Sequence, residues 1–153
     1  IFVTPSLVVR VFFFDLLMMN TSSKTLLKNY GLKVTVNRLT ILEMMKSVGY
    51  AVSQNDLKLM LNNRLDKVTV YRTLKTFLKA GIIHEILDGS VQVKYALCDI
   101  SKCNADAHIH FKCNLCEKTF CLNSINIPNI SLPNGFMASK QFVSFQGKCQ
   151  SCS

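Results

Sequence analysis

Two Cys-x-x-Cys pairs constrain this 153-residue chain more than any other feature. One pair is Cys113 and Cys116, and the other, Cys149 and Cys152, almost ends the sequence. Each pair can direct two sulfurs at one ion at about 2.3 Å, and four thiolates complete the tetrahedron of a structural zinc site. Because the pairs are far apart, the last strand must fold back and attach the end of the chain to the strand that follows His110.

Disulfide bonds or free thiols are the alternative interpretations of these cysteines. The chain has seven cysteines, an odd number, and lacks the basic start and small-residue cleavage site of a secretory signal. Both observations favour structural Zn²⁺ in a cytoplasmic protein.

Residues 1–19 do not fit a folded domain. The apolar run Leu7–Met19 is interrupted by Arg10 and Asp15, and it is shorter than the about 20 apolar residues that cross a bilayer. We predict that 1–19 is a non-native or disordered extension, with an N-terminal helix that packs on a partner as the alternative. The expected domains are then residues 20–97 and residues 98–153.

Positive charge is concentrated in the first half of the chain. The formal net charge is +9, and residues 24–84 carry eleven Lys and Arg against three acidic residues. Residues 85–153 are nearly balanced, with six basic and five acidic residues, and all seven cysteines follow residue 97. The first half is therefore predicted to meet a polyanion, and the second half to bind metal.

Capping residues predict where the helices of the first half begin and end. Asn37, Ser53 and Asp66 can each cap a helix that follows, and Gly49 and Gly81 can end one. The last of these helices is expected over Lys67–Ala80. Two strands should follow it, Ile82–Leu87 and Val91–Leu97, joined by a turn at Asp88-Gly89.

This order of elements predicts a winged helix-turn-helix with Lys67–Ala80 in the major groove of DNA. Tyr71 can reach base edges or thymine methyl groups, and Arg72 can pair with a phosphate or guanine. The alternative is an ordinary helix bundle whose basic face is only solvated.

Several motifs, in this order, resemble the ferric uptake regulator family, and its zinc uptake regulator branch in particular. They are Gly31-Leu32-Lys33-Val34-Thr35, Arg38-Leu39-Thr40-Ile41-Leu42, Val68-Thr69-Val70-Tyr71-Arg72-Thr73-Leu74, Ala80-Gly81-Ile82-Ile83, His108-Ile109-His110-Phe111-Lys112-Cys113-Asn114-Leu115-Cys116 and the terminal Cys149-Gln150-Ser151-Cys152. The resemblance covers about residues 20–153. It implies an α+β fold, with an N-terminal winged helix-turn-helix followed by a small α/β dimerisation domain stapled by the four-Cys zinc site.

The resemblance also implies a homodimer that binds a palindromic, AT-rich operator in double-stranded DNA when a separate regulatory metal is bound. It places Tyr71 and Arg72 in the DNA-reading helix, and Lys33 and Arg38 near the DNA backbone. The full set of predicted DNA-binding residues is Lys33, Arg38, Thr69, Tyr71, Arg72 and Lys75.

A regulatory zinc site is implied by the similarity of Tyr95-Ala96-Leu97-Cys98 to the zinc uptake regulators, in which that cysteine binds the sensed zinc. Ala51 and Ala96 stand where iron sensors of the family carry a histidine and an acidic ligand. The predicted ligands are three imidazoles and one thiolate: His84, Cys98, His108 and His110. His108 and His110 alternate on a predicted strand, so both side chains point to one face.

Some of these residues have other interpretations. His84 can be a solvated histidine of the wing, and Cys98 a small buried apolar residue. Cys103 and Cys121 are possible additional ligands, because Cys103 competes with Cys98 and Cys121 lies where relatives often place a carboxylate ligand.

The predicted function is a metal-responsive, DNA-binding transcriptional repressor that senses zinc. A regulator of the same family that senses iron, manganese or peroxide is the alternative, and a zinc-stapled interaction module without sensing is another. We predict no enzymatic activity, because both Cys-x-x-Cys pairs adjoin strand-like residues and the sequence has no nucleophile elbow, paired carboxylates or phosphate loop.

Overall fold

The computed structural model describes residues 21–98, 108–125, 127, 130–139 and 141–153. The predicted extension at residues 1–19 and the loop cysteine Cys103 lie outside these ranges. Within them, no helix has the length and apolar character needed to cross a membrane.

Four α-helices build the first half of the described chain: α1 over residues 21–29, α2 Val36–Val48, α3 Gln54–Met60 and α4 Lys67–Ala80. Ser53 and Asp66 cap α3 and α4 as predicted, because their side chains accept hydrogen bonds from the third backbone N–H of each helix. Gly49 and Gly81 end α2 and α4 with φ of 67° and 77°, a conformation that strains any residue with a Cβ.

The predicted start of α2 was wrong by two residues. Thr35 is the N-cap, and its hydroxyl accepts a hydrogen bond from the backbone N–H of Arg38 at 3.4 Å, whereas Asn37 lies inside the helix. Both residue types cap helices, so the sequence alone did not decide between them.

The first sheet forms the wing. Its strands are β1 Val52–Ser53, β2 Ile83–Ile86 and β3 Lys94–Leu97, all antiparallel, in the order β1-β3-β2. Gly89 supplies the positive φ, 75°, in the connection between β2 and β3. This connection is longer than predicted, since β3 starts at Lys94 rather than Val91.

The second sheet carries the cysteine pairs. It contains β4 Ile109–Cys113, β5 Thr119–Leu122 and β6 Val143–Gly147 in the order β5-β4-β6. Strand β5 is antiparallel to β4, whereas β6 is parallel to it and pairs Cys113 with Gly147. A short 3₁₀ turn, Gln150–Cys152, follows.

Two apolar clusters hold these parts together. The larger lies between the helices and the first sheet, where Leu57, Val70 and Phe77 are fully buried. The smaller joins the two halves of the chain and consists of Ala51, Ile86 and Ala96 with Cys121 packed against them. Next to it, the backbone N–H of Ala51 donates a hydrogen bond to the carbonyl of Thr119 at 2.8 Å.

The predicted α+β class is confirmed, with a winged helix-turn-helix first and a cysteine-stapled sheet second. In the described part of the chain after Cys98, the regular structure consists of strands and the 3₁₀ turn. The predicted domain boundary at residues 97 and 98 stays a prediction.

Candidate metal centres and nucleic-acid face

The four cysteines of the two pairs converge at one end of the second sheet. Because β4 and β6 are parallel, both end on the same side, and this brings Cys149 beside Cys113. The four sulfur atoms lie within 4.8 Å of one another, and those of Cys116 and Cys149 are 3.7 Å apart. Tetrahedral zinc with Zn–S of about 2.3 Å needs sulfurs about 3.8 Å apart. The sulfur spacing therefore fits a structural zinc.

The polar surroundings of these sulfurs prepare them for a cation. Hydrogen bonds from backbone N–H groups lower the pKa of Cys113 to about 6, and the N–H of Cys116 has the largest effect. The Cys149 N–H donates to the same sulfur at 3.4 Å. Hydrogen bonds with the neighbouring thiols raise the pKa of Cys152 to about 12, and the thiol of Cys149 has the largest effect. The backbone around Cys113 therefore favours its thiolate, which is the form that binds zinc.

A second cluster lies between the two halves of the chain and contains all three histidines. The Nε2 atom of His84, on β2, is 3.1 Å from Nε2 of His108 and 3.3 Å from Nε2 of His110. The sulfur of Cys121, on β5, is 3.5 Å from the same Nε2 atom. These four ligand atoms lie within 4.8 Å of one another, and the three histidines are buried. We call this group the histidine cluster.

The histidine cluster has the geometry and protonation of a zinc ligand set. Nitrogens bound to tetrahedral zinc at 2.0–2.1 Å lie about 3.3 Å apart, close to the distances found here. Burial, with the charges of the neighbouring histidines, lowers the pKa of His84 to about 4, and burial together with His108 lowers that of His110 to about 4. Near pH 7 both imidazoles are therefore neutral and keep a lone pair for a metal.

Cys98 lies on the other side of His84. Its sulfur is 3.7 Å from Nδ1 of His84, the ring nitrogen that points away from the cluster, and Cys98 is disulfide-bonded. The structure thus brings together three of the four predicted regulatory ligands, with Cys121 in the place expected for Cys98. Whether Cys98 binds the metal in solution stays a prediction, and Cys103 lies outside the described residues.

The sequence predicted Cys121 only as an additional ligand, and its place in the cluster follows from the pairing of two strands. In the β4–β5 hairpin, Cys121 is the direct partner of His110. Directly opposed residues of an antiparallel pair project to the same face, so a thiol opposite His110 can reach a metal that His110 binds. That register depends on the number of residues in the turn, which the sequence did not specify by itself.

We expect zinc binding at the histidine cluster to release one proton near pH 7.5. His84 and His110 release none because their pKa lies near 4, whereas burial raises the pKa of Cys121 to about 12, so its thiol must lose a proton to bind. The apparent zinc affinity should therefore rise about tenfold per pH unit between pH 6.5 and 8.5. Proton release is measured with a pH indicator in weak buffer, after the four-cysteine site has been filled.

The matched control for proton release is Cys121→Asp. A carboxylate is already ionised at neutral pH, so this variant should bind zinc with almost no proton release and with a flat pH dependence. If the wild type and Cys121→Asp release the same number of protons, Cys121 is not the thiolate.

One face of α4 is exposed and basic. Tyr71, Arg72 and Lys75 project from the side opposite the buried Val70 and Leu74. Tyr71 is 48% exposed, and the ammonium of Lys75 lies 5.9 Å from the centre of its ring. Such a face, on the second helix of the helix-turn-helix, has the form that enters a major groove.

The remaining predicted DNA contacts lie around this face. The hydroxyl of Thr69 donates a hydrogen bond to the carboxylate of Asp66, so the side chain of Thr69 helps to hold the N-cap of α4 in place. Arg38 donates to the carbonyl oxygen of Lys33 at 2.7 Å, and this bond fixes the segment that leads into α2. Lys33 is exposed. Contacts of these residues with DNA stay predictions.

Sequence comparison finds relatives over most of the chain. The sequence model of the ferric uptake regulator family matches residues 29–140. A ferric uptake regulation protein from Bordetella parapertussis is 30% identical over 139 residues, which are 86% of this chain and 96% of that protein.

Solved structures share the fold. A zinc uptake regulator complexed with zinc and DNA superposes with a TM-score of 0.62 and 20% identity, covering 88% of this chain and 93% of that one. The ferric uptake regulator of Vibrio cholerae gives a TM-score of 0.54 with 24% identity, covering 82% and 98%. The ferric uptake regulator of Pseudomonas aeruginosa with manganese gives 0.54 with 20% identity, covering 84% and 98%.

Proposed function

Because this chain belongs to the ferric uptake regulator family, we propose that it is a zinc-sensing, DNA-binding transcriptional repressor. Members of this family are metal-responsive transcription regulators and not enzymes, as predicted from the sequence. The zinc specificity and the repressor activity are what the proposal adds.

The observation that carries the proposal is the position of the histidine cluster. His84 belongs to β2 of the winged helix, whereas His108, His110 and Cys121 belong to the second half of the chain. A ligand shifts a conformational equilibrium only by binding one state more tightly than another. A metal held by both halves binds tightly only when they are docked, so metal binding would select one orientation of α4.

The donor set supports zinc as the sensed metal. Three imidazoles and one thiolate, with spacings close to those of a tetrahedron, suit zinc, whereas oxygen-rich sites suit manganese and other hard ions. A zinc uptake regulator with zinc and DNA is among the structures that share the fold. An iron- or manganese-sensing regulator is the second candidate, since relatives with those metals share the fold as well.

The proposed partners are a second copy of the chain and double-stranded DNA with an AT-rich palindromic site, in the cytoplasm. Large apolar side chains are exposed in β6 and in the segment before it, including Phe136 at 70%, Phe142 at 55% and Phe145 at 53%. A homodimer would bury such a surface. Structural Zn²⁺ at the four cysteines and regulatory Zn²⁺ at the histidine cluster complete the proposal.

A metal titration with DNA binding as the readout tests the function. Protein that retains only the four-cysteine zinc is titrated with buffered free zinc, ferrous iron or manganese, and its affinity for a library of duplexes is followed. We expect zinc to restore specific binding at the lowest free concentration. If iron or manganese restores specific DNA binding and zinc does not, the second candidate is supported. If DNA affinity does not change with any of the three metals, metal sensing is excluded.

Replacing Arg72 with alanine is expected to weaken specific DNA binding by about 1–3 kcal/mol, because a guanidinium on the exposed face of α4 would lose a base or phosphate contact. Lys33→Ala should weaken binding to all sequences alike and reduce the slope of log affinity against log salt by about one unit. Binding is measured by fluorescence anisotropy at several salt concentrations.

The control for the DNA contacts is Lys148→Ala, which removes one positive charge from the exposed surface of the second half. It should leave specific affinity nearly unchanged. Equal affinities for Arg72→Ala and Lys148→Ala at fixed salt would exclude Arg72 as a DNA contact.

A further inference from the structure

A buried carboxylate at the tip of the wing makes a second polar contact between the halves of the chain. The side chain of Asp88 is only 1% exposed, and its Oδ2 atom lies 2.8 Å from the ammonium of Lys94, on β3. The other oxygen, Oδ1, accepts the backbone N–H of Ser90 at 2.9 Å. Asp88, Lys94 and Ser90 all belong to the wing hairpin.

Residues of the second sheet complete this arrangement. The hydroxyl of Thr119, on β5, donates to Oδ2 of Asp88 at 2.5 Å. The ammonium of Lys112, on β4, donates to the backbone carbonyl of Asp88 at 3.1 Å. In the other direction, Lys94 donates to the carbonyl of Glu117 at 3.0 Å. Donors and acceptors of both halves therefore meet around one carboxylate.

The same two strands carry this contact and the histidine cluster. Along β2 and its continuation, His84, Ile86 and Asp88 are buried, whereas the intervening residues 85 and 87 are exposed. Alternate residues of an extended segment share a face, so a metal-cluster histidine, an apolar residue and the carboxylate all face the second half. On β5 the alternate residues Thr119 and Cys121 meet them.

Burial makes this contact sensitive to the orientation of the halves. A buried carboxylate destabilises a protein unless hydrogen bonds and an opposite charge compensate, and losing one partner leaves the group unsatisfied. Burial alone would raise the pKa of Asp88, but hydrogen bonds from Lys94, Ser90 and Thr119 outweigh it and hold the pKa below its usual range. Asp88 is therefore ionised, and only the docked orientation supplies the hydroxyl of Thr119.

We propose that Asp88, Lys94 and Thr119 form an interdomain latch that orients the winged helix against the second sheet and thereby positions the histidine cluster for metal. The consequence for DNA rests on the proposed function, whereas the effect on docking and metal affinity does not. Coupling between two contacts is reciprocal, so a weaker latch means a weaker metal site. When the docked population falls, the apparent dissociation constant for metal rises in proportion.

The test compares Thr119→Val with Thr119→Ser. Valine keeps the shape of threonine and the backbone carbonyl that Ala51 contacts but removes the hydroxyl, and serine keeps the hydroxyl. We expect Thr119→Val to raise the dissociation constant of zinc at the histidine cluster roughly tenfold in chelator competition, with the four-cysteine zinc retained. Hydrogen exchange at the Ala51 amide should accelerate by a similar factor, and Thr119→Ser should stay close to the wild type.

A second variant and a control complete the experiment. Asp88→Asn should act like Thr119→Val. The double variant should raise the dissociation constant of zinc by less than the product of the two single-variant factors, because both changes break the same contact. Glu85→Gln removes a carboxylate from the exposed face of β2, where it pairs with Lys75, and should change neither readout.

Two outcomes would overturn the latch. In the first, Thr119→Val and Asp88→Asn both keep the zinc affinity and the Ala51 exchange rate of the wild type. In the second, Thr119→Val and Thr119→Ser lose the same amount of zinc affinity. If the latch variants change exchange and zinc affinity as expected but no form of the protein binds DNA specifically, the latch holds and the proposed function fails.

Discussion

Cys113→Ser and Cys149→Ser are each expected to release the structural zinc and to unfold much of the second sheet. Cys113 ends β4, and Cys149 follows β6, so the metal would join the ends of two parallel strands that are distant in sequence. Zinc binding at structural sites contributes about 10–16 kcal/mol of apparent free energy, which is comparable to the whole stability of a small domain. Zinc per chain and thermal unfolding of the purified variants measure the effect.

Cys121→Ser is the matched control, because it also removes a thiol from the second sheet but lies outside the four-cysteine site. It should keep that zinc and most of the thermal stability. A Cys113→Ser protein with unchanged zinc content and melting temperature would refute the four-thiolate site.

The second large effect is expected at the histidine cluster, where Cys121→Ser should abolish zinc-dependent DNA binding. A serine hydroxyl is not ionised at neutral pH, so the cluster would keep its three imidazoles and lose its anionic ligand. Even changes next to a ligand weaken metal binding 10–100-fold, so removal of the thiolate should weaken it by about 100-fold or more. Zinc affinity and DNA affinity are measured on the same preparation.

Cys98→Ser is the comparison that decides between the two thiols. The sulfur of Cys98 faces the outer ring nitrogen of His84, so this variant should retain a zinc response. If Cys98→Ser loses the response and Cys121→Ser keeps it, Cys98 is the thiolate, as the sequence predicted, once its disulfide has been reduced. If neither variant changes the response, the sensing site lies elsewhere.

Features that depend on neighbouring residues were predictable from the sequence. The caps at Ser53 and Asp66 and the helix ends at Gly49 and Gly81 follow from hydrogen bonds and backbone angles within a few residues. Each half of the four-cysteine cluster was predictable, because a Cys-x-x-Cys turn places its two sulfurs close together regardless of the rest of the fold. The family was predictable because several motifs occur in one order.

Features that depend on how distant segments pair were decided only by the tertiary structure. The parallel pairing of β6 with β4 brings the last cysteine pair to the first, and the β4–β5 register places Cys121 opposite His110. The docking of β2 on β5 then decides which ring nitrogen of His84 joins the cluster and which thiol accompanies it.

Asp88 shows the same division between sequence and structure. The sequence indicated a turn at Asp88-Gly89, since both residue types favour turns, and Gly89 indeed has a positive φ. Nothing local distinguished Asp88 from a solvated turn aspartate. Residues of β4 and β5, more than twenty positions later in the chain, add two hydrogen bonds to those that Asp88 makes within its own hairpin. Neighbours along the chain determine the backbone turn at Asp88 and supply its hairpin partners Ser90 and Lys94. The packing of the two sheets adds the hydroxyl of Thr119.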